Sequence, residues 1–363
     1  MKKIMLFAVA AVALAACNSE ETVSVNEGDA ISFRTVVNGQ TRAMDISTAS
    51  LDKFNVTAIN QNSGAAYFSN ITFTKDAEGT FKSDKKYYWP ATDALSFFAF
   101  APAEQNSQVV PEDYKTFVVT PATDYLTQVD LIYASTTDKT KASNGASGVQ
   151  LNFRHTGSKI AVKVKNSEAP AAGQTAEDPN YLDIDVCGWK IGYVSASGKF
   201  TFKDANTDGE GWLDFGDWSD LSAPAYGVQY ESLFDVTKST KEAIELPGQM
   251  NLIPQQLSAA TDYDQTENPN GAFIAVKLVI KSNGTIIASE ANGEPLWAIW
   301  PISTKWEPGK KYTYIIDVAD GGYYEKKKED DPELDPILDK FIKFVTVTVD
   351  DWAPNTDILV PEQ

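Results

Sequence analysis

Few side chains in this sequence could do chemistry, and their types narrow what that chemistry is. There are two cysteines, Cys17 and Cys187, one histidine, His155, and three arginines, Arg34, Arg42 and Arg154. So few thiols and imidazoles exclude a Cys- or His-rich metal centre. His155 lies in a strand-like segment with no Ser or Cys arranged around it, which makes it a packing residue rather than a catalytic base. The run Asp204-Ala205-Asn206-Thr207-Asp208-Gly209 matches the first half of a calcium loop. The glutamate that such a loop needs at its end would fall on Phe215, with Asp214 one residue early, and no helical pattern flanks it. An acidic turn is therefore expected there. Trp189, Trp212, Trp218, Trp297, Trp300 and Trp306 could form a stacking platform for sugars, although tryptophan in β-proteins more often packs the core. Carboxylate pairs arise by chance among 50 acidic residues, and none has a glycosidase pattern. With no glycine-rich phosphate loop and no nucleophile elbow, neither an enzyme nor a cofactor is expected.

Composition sets the frame that must position these residues. The 363 residues are 43% hydrophobic and 11% aromatic, enough for two domains with substantial cores. Lys and Arg total 31 against 50 Asp and Glu, a net charge of -19. Such a surface repels phosphate backbones, so nucleic acid is excluded as a partner.

The N-terminus is an address. Lys2 and Lys3 precede an apolar stretch, residues 4–16, that is too short to span a bilayer and reads as a secretory signal. The stretch ends Leu14-Ala15-Ala16-Cys17, which resembles the bacterial lipobox. Cleavage between Ala16 and Cys17 followed by acylation of the Cys17 thiol is implied; the alternative is an ordinary signal peptide cut after an alanine. Two or three acyl chains hold a protein durably on a membrane, where a single chain binds only marginally. Removing residues 1–16 takes Lys2 and Lys3 away and makes the mature chain two charges more negative. Cys187 is then left without a partner, as a buried free thiol. The acidic stretch Asn18-Ser19-Glu20-Glu21 resembles an export tag to the outer face of the outer membrane. Residues 17–29 form an acidic tether.

The remainder reads as strands and turns. Ile160, Val162 and Val164 alternate with Lys163 and Lys165; Tyr312, Tyr314, Ile316 and Val318 alternate with Thr313 and Asp317; Val345, Val347 and Val349 alternate with Thr346 and Thr348. Period-two alternation marks half-buried strands. Asn283-Gly284 between apolar runs predicts a hairpin turn needing positive φ, and further turn signals lie at Asn38-Gly39, Asn144-Gly145, Asp208-Gly209 and Asn292-Gly293. An all-β protein of two tandem β-sandwiches follows, with an N-terminal domain over 30–150 and a C-terminal domain over 151–363. Residues 140–148 are a candidate link, 167–180 a link or surface loop, and 325–340 a charged, solvated insertion.

Five motifs then carry a resemblance to the fimbrillin family, in its Mfa-like branch. They are Tyr87-Tyr88-Trp89-Pro90 with Leu95-Ser96-Phe97-Phe98-Ala99-Phe100-Ala101-Pro102; Phe153-Arg154-His155-Thr156-Gly157-Ser158-Lys159-Ile160; Leu252-Ile253-Pro254-Gln255; Trp306-Glu307-Pro308-Gly309-Lys310-Lys311-Tyr312-Thr313-Tyr314; and Val347-Thr348-Val349-Asp350-Asp351-Trp352. The resemblance implies two transthyretin-like β-sandwiches in a pilus subunit or related surface lipoprotein. It further implies a cut after an arginine in the N-terminal domain. That cut releases the lipid and first strand, and another subunit's C-terminal segment fills the opened groove.

The residues are compatible with that scheme. Positions 30–37 place Ile31, Phe33 and Val37 on one face and Ser32 and Arg34 on the other, a first strand with one buried side. Asn38-Gly39-Gln40-Thr41-Arg42-Ala43 follows, a turn of the kind proteases cut. Arg34 and Arg154 lie inside strand-like segments, so the scissile bond is Arg42–Ala43; the alternative is that Arg42 is simply an exposed turn residue. The C-terminal segment supplies Ile358, Leu359 and Val360 as the inserting donor residues, and Pro361 limits the insertion. This tail is short for a donor, which leaves room for a terminal or accessory subunit. Two functions are thus expected. The first is a fimbrial subunit whose partners are other subunits, the outer membrane and an adhesion ligand; the second is a surface lipoprotein that binds glycans and never polymerises.

Overall fold

The computed structural model describes residues 25–37, 50–104, 106–171, 181–203, 216–328, 331–340, 342 and 345–352. The chain is nearly all β-structure, with one short α-helix at Lys141–Asn144 among the described residues. In the N-terminal half seven strands close into a barrel. Their order is Ile132–Lys139, Val149–His155, Phe33–Val37, Phe81–Lys82, Ala66–Lys75, Lys53–Asn60 and Leu95–Ala101, which returns to the first. Closure removes the open edges that would invite aggregation. The interior is aromatic because Phe33, Phe54, Phe73, Phe81, Phe97 and Phe153 all point inward and are fully buried. Phe33 meets Phe73 edge-on at 4.7 Å and Phe97 at 5.1 Å, the geometry that ring quadrupoles favour. The helix at Lys141–Asn144 connects two neighbouring barrel strands, so the link expected at 140–148 lies within the barrel. The expected boundary between 150 and 151 falls inside the strand Val149–His155.

The C-terminal half is a two-sheet sandwich. One sheet carries Ile244–Glu245, Ser158–Lys165, Lys310–Asp317 and Thr346–Asp351 in that order, with Met250–Leu252 also paired to Ser158–Lys165. The other carries Gln229–Lys238, Leu182–Gly192, Phe273–Ser282, Leu296–Pro301 and Tyr323–Tyr324, and Thr285–Ala288 folds back on Phe273–Ser282. The hairpin expected at Asn283-Gly284 is that fold-back, with φ of 47° and 75° at the two turn residues. Trp189, Trp300, Trp306, Tyr312 and Tyr314 fill the space between the sheets. Each indole N–H finds an acceptor: Trp189 donates to the Pro247 carbonyl at 2.7 Å, Trp300 to Asp320 Oδ1 at 3.0 Å and Trp306 to the Tyr314 hydroxyl at 2.8 Å. A buried indole without such a partner would cost stability.

The two halves share a sheet. Val109–Pro111 and Thr116–Val119 pair with Gly198–Phe202 and Gly216–Ser219 to make four strands drawn from both halves. This sheet packs on the outside of the barrel through Phe98, Phe100, Phe117, Tyr133, Phe200 and Phe202. Two sequence expectations change here. The stretch 325–340 is not simply solvated, because Leu334 and Leu338 pack on the sandwich. Glu325 within it is buried and paired with Lys190 at 2.6 Å. Its charge is tolerated because Lys190, Tyr226 and Gln229 all donate to it. Cys187 is a free thiol but only half-buried, and burial raises its pKa above the usual value.

Candidate functional site: the first strand and its slot

The strand Phe33–Val37 is the element that the sequence singled out, and it sits unevenly in the barrel. On one side it runs parallel to Val149–His155 through five register pairs, from Val149↔Phe33 to Phe153↔Val37. On the other side a single pair, Phe33↔Phe81, joins it to Phe81–Lys82. Parallel ladders are somewhat less stable per residue than antiparallel ones, so backbone bonding holds this strand weakly and side-chain burial must hold the rest. Ile31 is 2% exposed and Phe33 is 0% exposed, while Arg34 points out to solvent. Burying side chains of this size contributes roughly 1.5–3 kcal/mol each. The slot that the strand fills is lined by Val149, Leu151 and Phe153, all fully buried, with Phe54 and Phe81 beyond. Upstream, Val25–Ala30 leaves the barrel to pair with Tyr88–Pro90, so residues 30–37 form two strands broken at Ile31-Ser32.

A second cluster lies where the slot meets the C-terminal half. Four of the five sequence motifs converge there. His155 ends the strand that lines the slot and is 3% exposed. Its Nδ1 donates to Asp130 Oδ2 at 2.8 Å, and its ring stacks on Trp352 with centroids 4.1 Å apart and planes 8° from parallel. Lys159 Nζ stands 5.5 Å from the same indole. The Thr156 hydroxyl and N–H both donate to the Leu131 carbonyl at 3.0 Å, and Trp218 donates to the Thr156 carbonyl at 2.9 Å. Backbone bonds stitch the motifs together: Gly309 N–H to the Gly157 carbonyl at 2.8 Å, Trp352 N–H to the Gly309 carbonyl at 2.9 Å and Trp306 N–H to the Gln255 carbonyl at 2.8 Å. A Cβ on Gly157 would meet the Leu252 carbonyl at 3.3 Å, so the approach of these segments is close. His155 is thus a buried packing and hydrogen-bonding residue. Its partners Asp130 and Trp352 had no assigned role in the sequence; Trp352 closes a recognised motif, but Asp130 has no motif to flag it.

Of the sequence-derived site residues, Ala16, Cys17, Arg42, Ala43, Ile358, Leu359 and Val360 lie outside the described residues, as do Trp212 and the acidic run 204–209. Among the described residues the tryptophans follow the core-packing reading more than the platform one. Trp189, Trp300 and Trp306 are core residues, and Trp218 and Trp297 are half-buried in separate places. Among the described residues no group of three or more His, Cys, Asp or Glu is placed to hold a metal. No described helix is long and apolar enough to cross a membrane.

The fold is similar to that of a solved structure. A fimbrial protein from Bacteroides vulgatus is 16% identical, with 90% of this chain and 100% of that chain covered and a TM-score of 0.53. A putative cell adhesion protein from Bacteroides ovatus is also 16% identical, covering 90% and 99%, with a TM-score of 0.47. At these identities the likeness to the first is one of fold. No curated protein matches the sequence. The fimbrillin-like family model matches residues 41–352, and the chain belongs to that family. It is accordingly a structural protein rather than an enzyme. A model of the prokaryotic membrane lipoprotein lipid attachment site matches residues 1–18, which include Cys17, and marks a membrane-anchored surface protein.

Proposed function

We propose that this protein is a subunit of a bacterial surface fimbria that assembles by strand exchange. It is exported as a lipoprotein, cut between Ala16 and Cys17, and anchored to the outer membrane through acylated Cys17. A protease then cuts the Arg42–Ala43 bond. The lipid leaves with the first strand, and the Ile358-Leu359-Val360 segment of another subunit enters the vacated slot. In an incoming strand, backbone bonds supply affinity and alternate side-chain pockets set register.

The observation that carries this reading is the mounting of Phe33–Val37. Phe33 is buried like a core residue and Thr35 is half-buried, yet one ladder edge is a single pair. Arg42 follows shortly after Val37 in the sequence. The strand's departure breaks one antiparallel pair, Phe33↔Phe81, and five parallel ones. What it uncovers is a row of apolar side chains beside an unpaired strand edge, which demands a replacement.

The test is the N-terminal sequence of the protein taken from the surface of its native cell. A start at Ala43 supports processing and strand exchange. A blocked, acylated Cys17 on all the material overturns it.

A further inference from the structure

The strand that lines the slot is itself poorly held once the first strand goes. Val149–His155 makes five register pairs with Phe33–Val37 but only two with its other neighbour, Ile132↔His155 and Tyr133↔Arg154. Both of those remaining pairs are at its C-terminal end. Residues 149–153 therefore lose every ladder neighbour when the first strand departs. A strand segment without partners gains conformational entropy by fraying. A frayed edge is no template for an incoming strand, because the incomer would have to order both itself and the edge it binds.

The C-terminal end of that strand is pinned more heavily than its ladder requires. The His155–Asp130 hydrogen bond, the His155–Trp352 stack, the two donations of Thr156 to Leu131 and that of Trp218 to Thr156 all fall within two consecutive residues. These contacts come from the segment before Ile132–Lys139, from the shared four-stranded sheet and from the residue that follows the sandwich strand Thr346–Asp351. None of them involves Phe33–Val37, so all of them persist when it leaves.

We propose that Asp130, His155 and Trp352 form a clamp that keeps Val149–His155 in place as the receiving edge while the slot is empty. They are positioning residues for strand uptake, acting through the strand rather than on the incoming segment. With the first strand seated, its five pairs hold the edge and the clamp is redundant. With the slot empty, the clamp and the core packing of Val149, Leu151 and Phe153 are what hold the edge. The inference rests on the reading that the first strand leaves, but its test uses the uncut full-length chain and is independent of whether Arg42 is cleaved.

The test is a double-mutant cycle read by amide hydrogen exchange at residues 150–153. Phe33→Ala loosens the first strand from within, and Trp352→Ala removes the stack. Trp352→Ala alone should change exchange at 150–153 by no more than about twofold, within the limits of additivity for uncoupled sites. In the Phe33→Ala background the same substitution should accelerate exchange about tenfold or more, within the coupling range for residues of one network. Asp130→Asn should act in the same direction, and Trp352→Phe, which keeps a ring on His155, should restore protection. If Phe33→Ala does not fold, Thr35→Pro takes its place, removing a backbone donor from the strand while keeping the aromatic core. An equal effect of Trp352→Ala in both backgrounds, or none in either, overturns the clamp and leaves the cluster as a simple joint between the halves. The fimbrial reading fails separately, through a native N-terminus that remains at acylated Cys17.

Discussion

Phe33→Ala is the sharpest test of how the first strand is held. The side chain is fully buried and contacts Phe73 at 4.7 Å, Phe97 at 5.1 Å and Phe54 at 6.0 Å. Truncating a phenylalanine so placed removes its transfer energy and leaves a cavity, together costing about 3–5 kcal/mol. The ring–ring contacts are part of that figure and are not added again. If the strand can detach while the rest of the barrel stays folded, the loss appears first as local opening. Exchange of amides 33–37 should then rise by at least about a hundredfold, as each 1.4 kcal/mol is roughly a factor of ten. Global stability should respond differently. Once substitution has abolished docking, a worse residue cannot cost more, so Phe33→Asp should lower the urea midpoint no further than Phe33→Ala does. The assay is hydrogen exchange by mass spectrometry beside urea unfolding of both variants. A midpoint for Phe33→Asp far below that of Phe33→Ala, with exchange at 33–37 rising only in step with the whole chain, would show that the strand cannot leave alone and would refute the reasoning.

Glu325→Leu alone should destabilise by about 3–5 kcal/mol, because Lys190 is left buried and unpaired, whereas Lys190→Met with Glu325→Leu should recover most of the loss in thermal unfolding. Burial pushes Tyr230 and Tyr314 up to about 12 from the usual 10.0. The unfolded state therefore loses those protons first. Their contribution should be fully present below pH 10 and fall away between pH 10 and 12, read as a declining urea midpoint. Gly284→Ala should cost about 1–2 kcal/mol, since φ there is 75° and nothing lies near an added Cβ to compensate. Cys17→Ala should move the protein out of the membrane fraction after detergent-free lysis, and unchanged fractionation would remove the lipid from the account.

Much of this was legible in local sequence. Alternation predicts the strands at Ser158–Lys165 and Lys310–Asp317 because a two-residue period is a property of the backbone itself. The Asn283-Gly284 turn is likewise local, since positive φ restricts the residue types. Ile31 and Phe33 inward with Arg34 outward follows from the same alternation. Other features were not legible. Glu325 sits in a stretch as charged as any solvated loop, and only Lys190, Tyr226 and Gln229, all far from it in the sequence, make its burial tolerable. The choice between core packing and a sugar platform for the tryptophans was open for a similar reason. Trp189, Trp300 and Trp306 each have an acceptor for the indole N–H deep in the core, and no spacing rule announces an acceptor.

By itself the sequence determined an all-β chain, a lipid address, a one-faced first strand followed by an arginine, and membership of a family through motifs spread over most of its length. These depend on properties carried by neighbouring residues: apolar run length, two-residue period and turn chemistry. Tertiary structure alone decided that the first strand runs parallel to Val149–His155, that its other edge is a single pair, and that both halves contribute to one four-stranded sheet. It also decided that His155, Asp130 and Trp352 meet. Strand partners and buried pairs are chosen by loop closure and by which surfaces must be covered together. That information is distributed over residues far apart in the sequence, and no local pattern contains it.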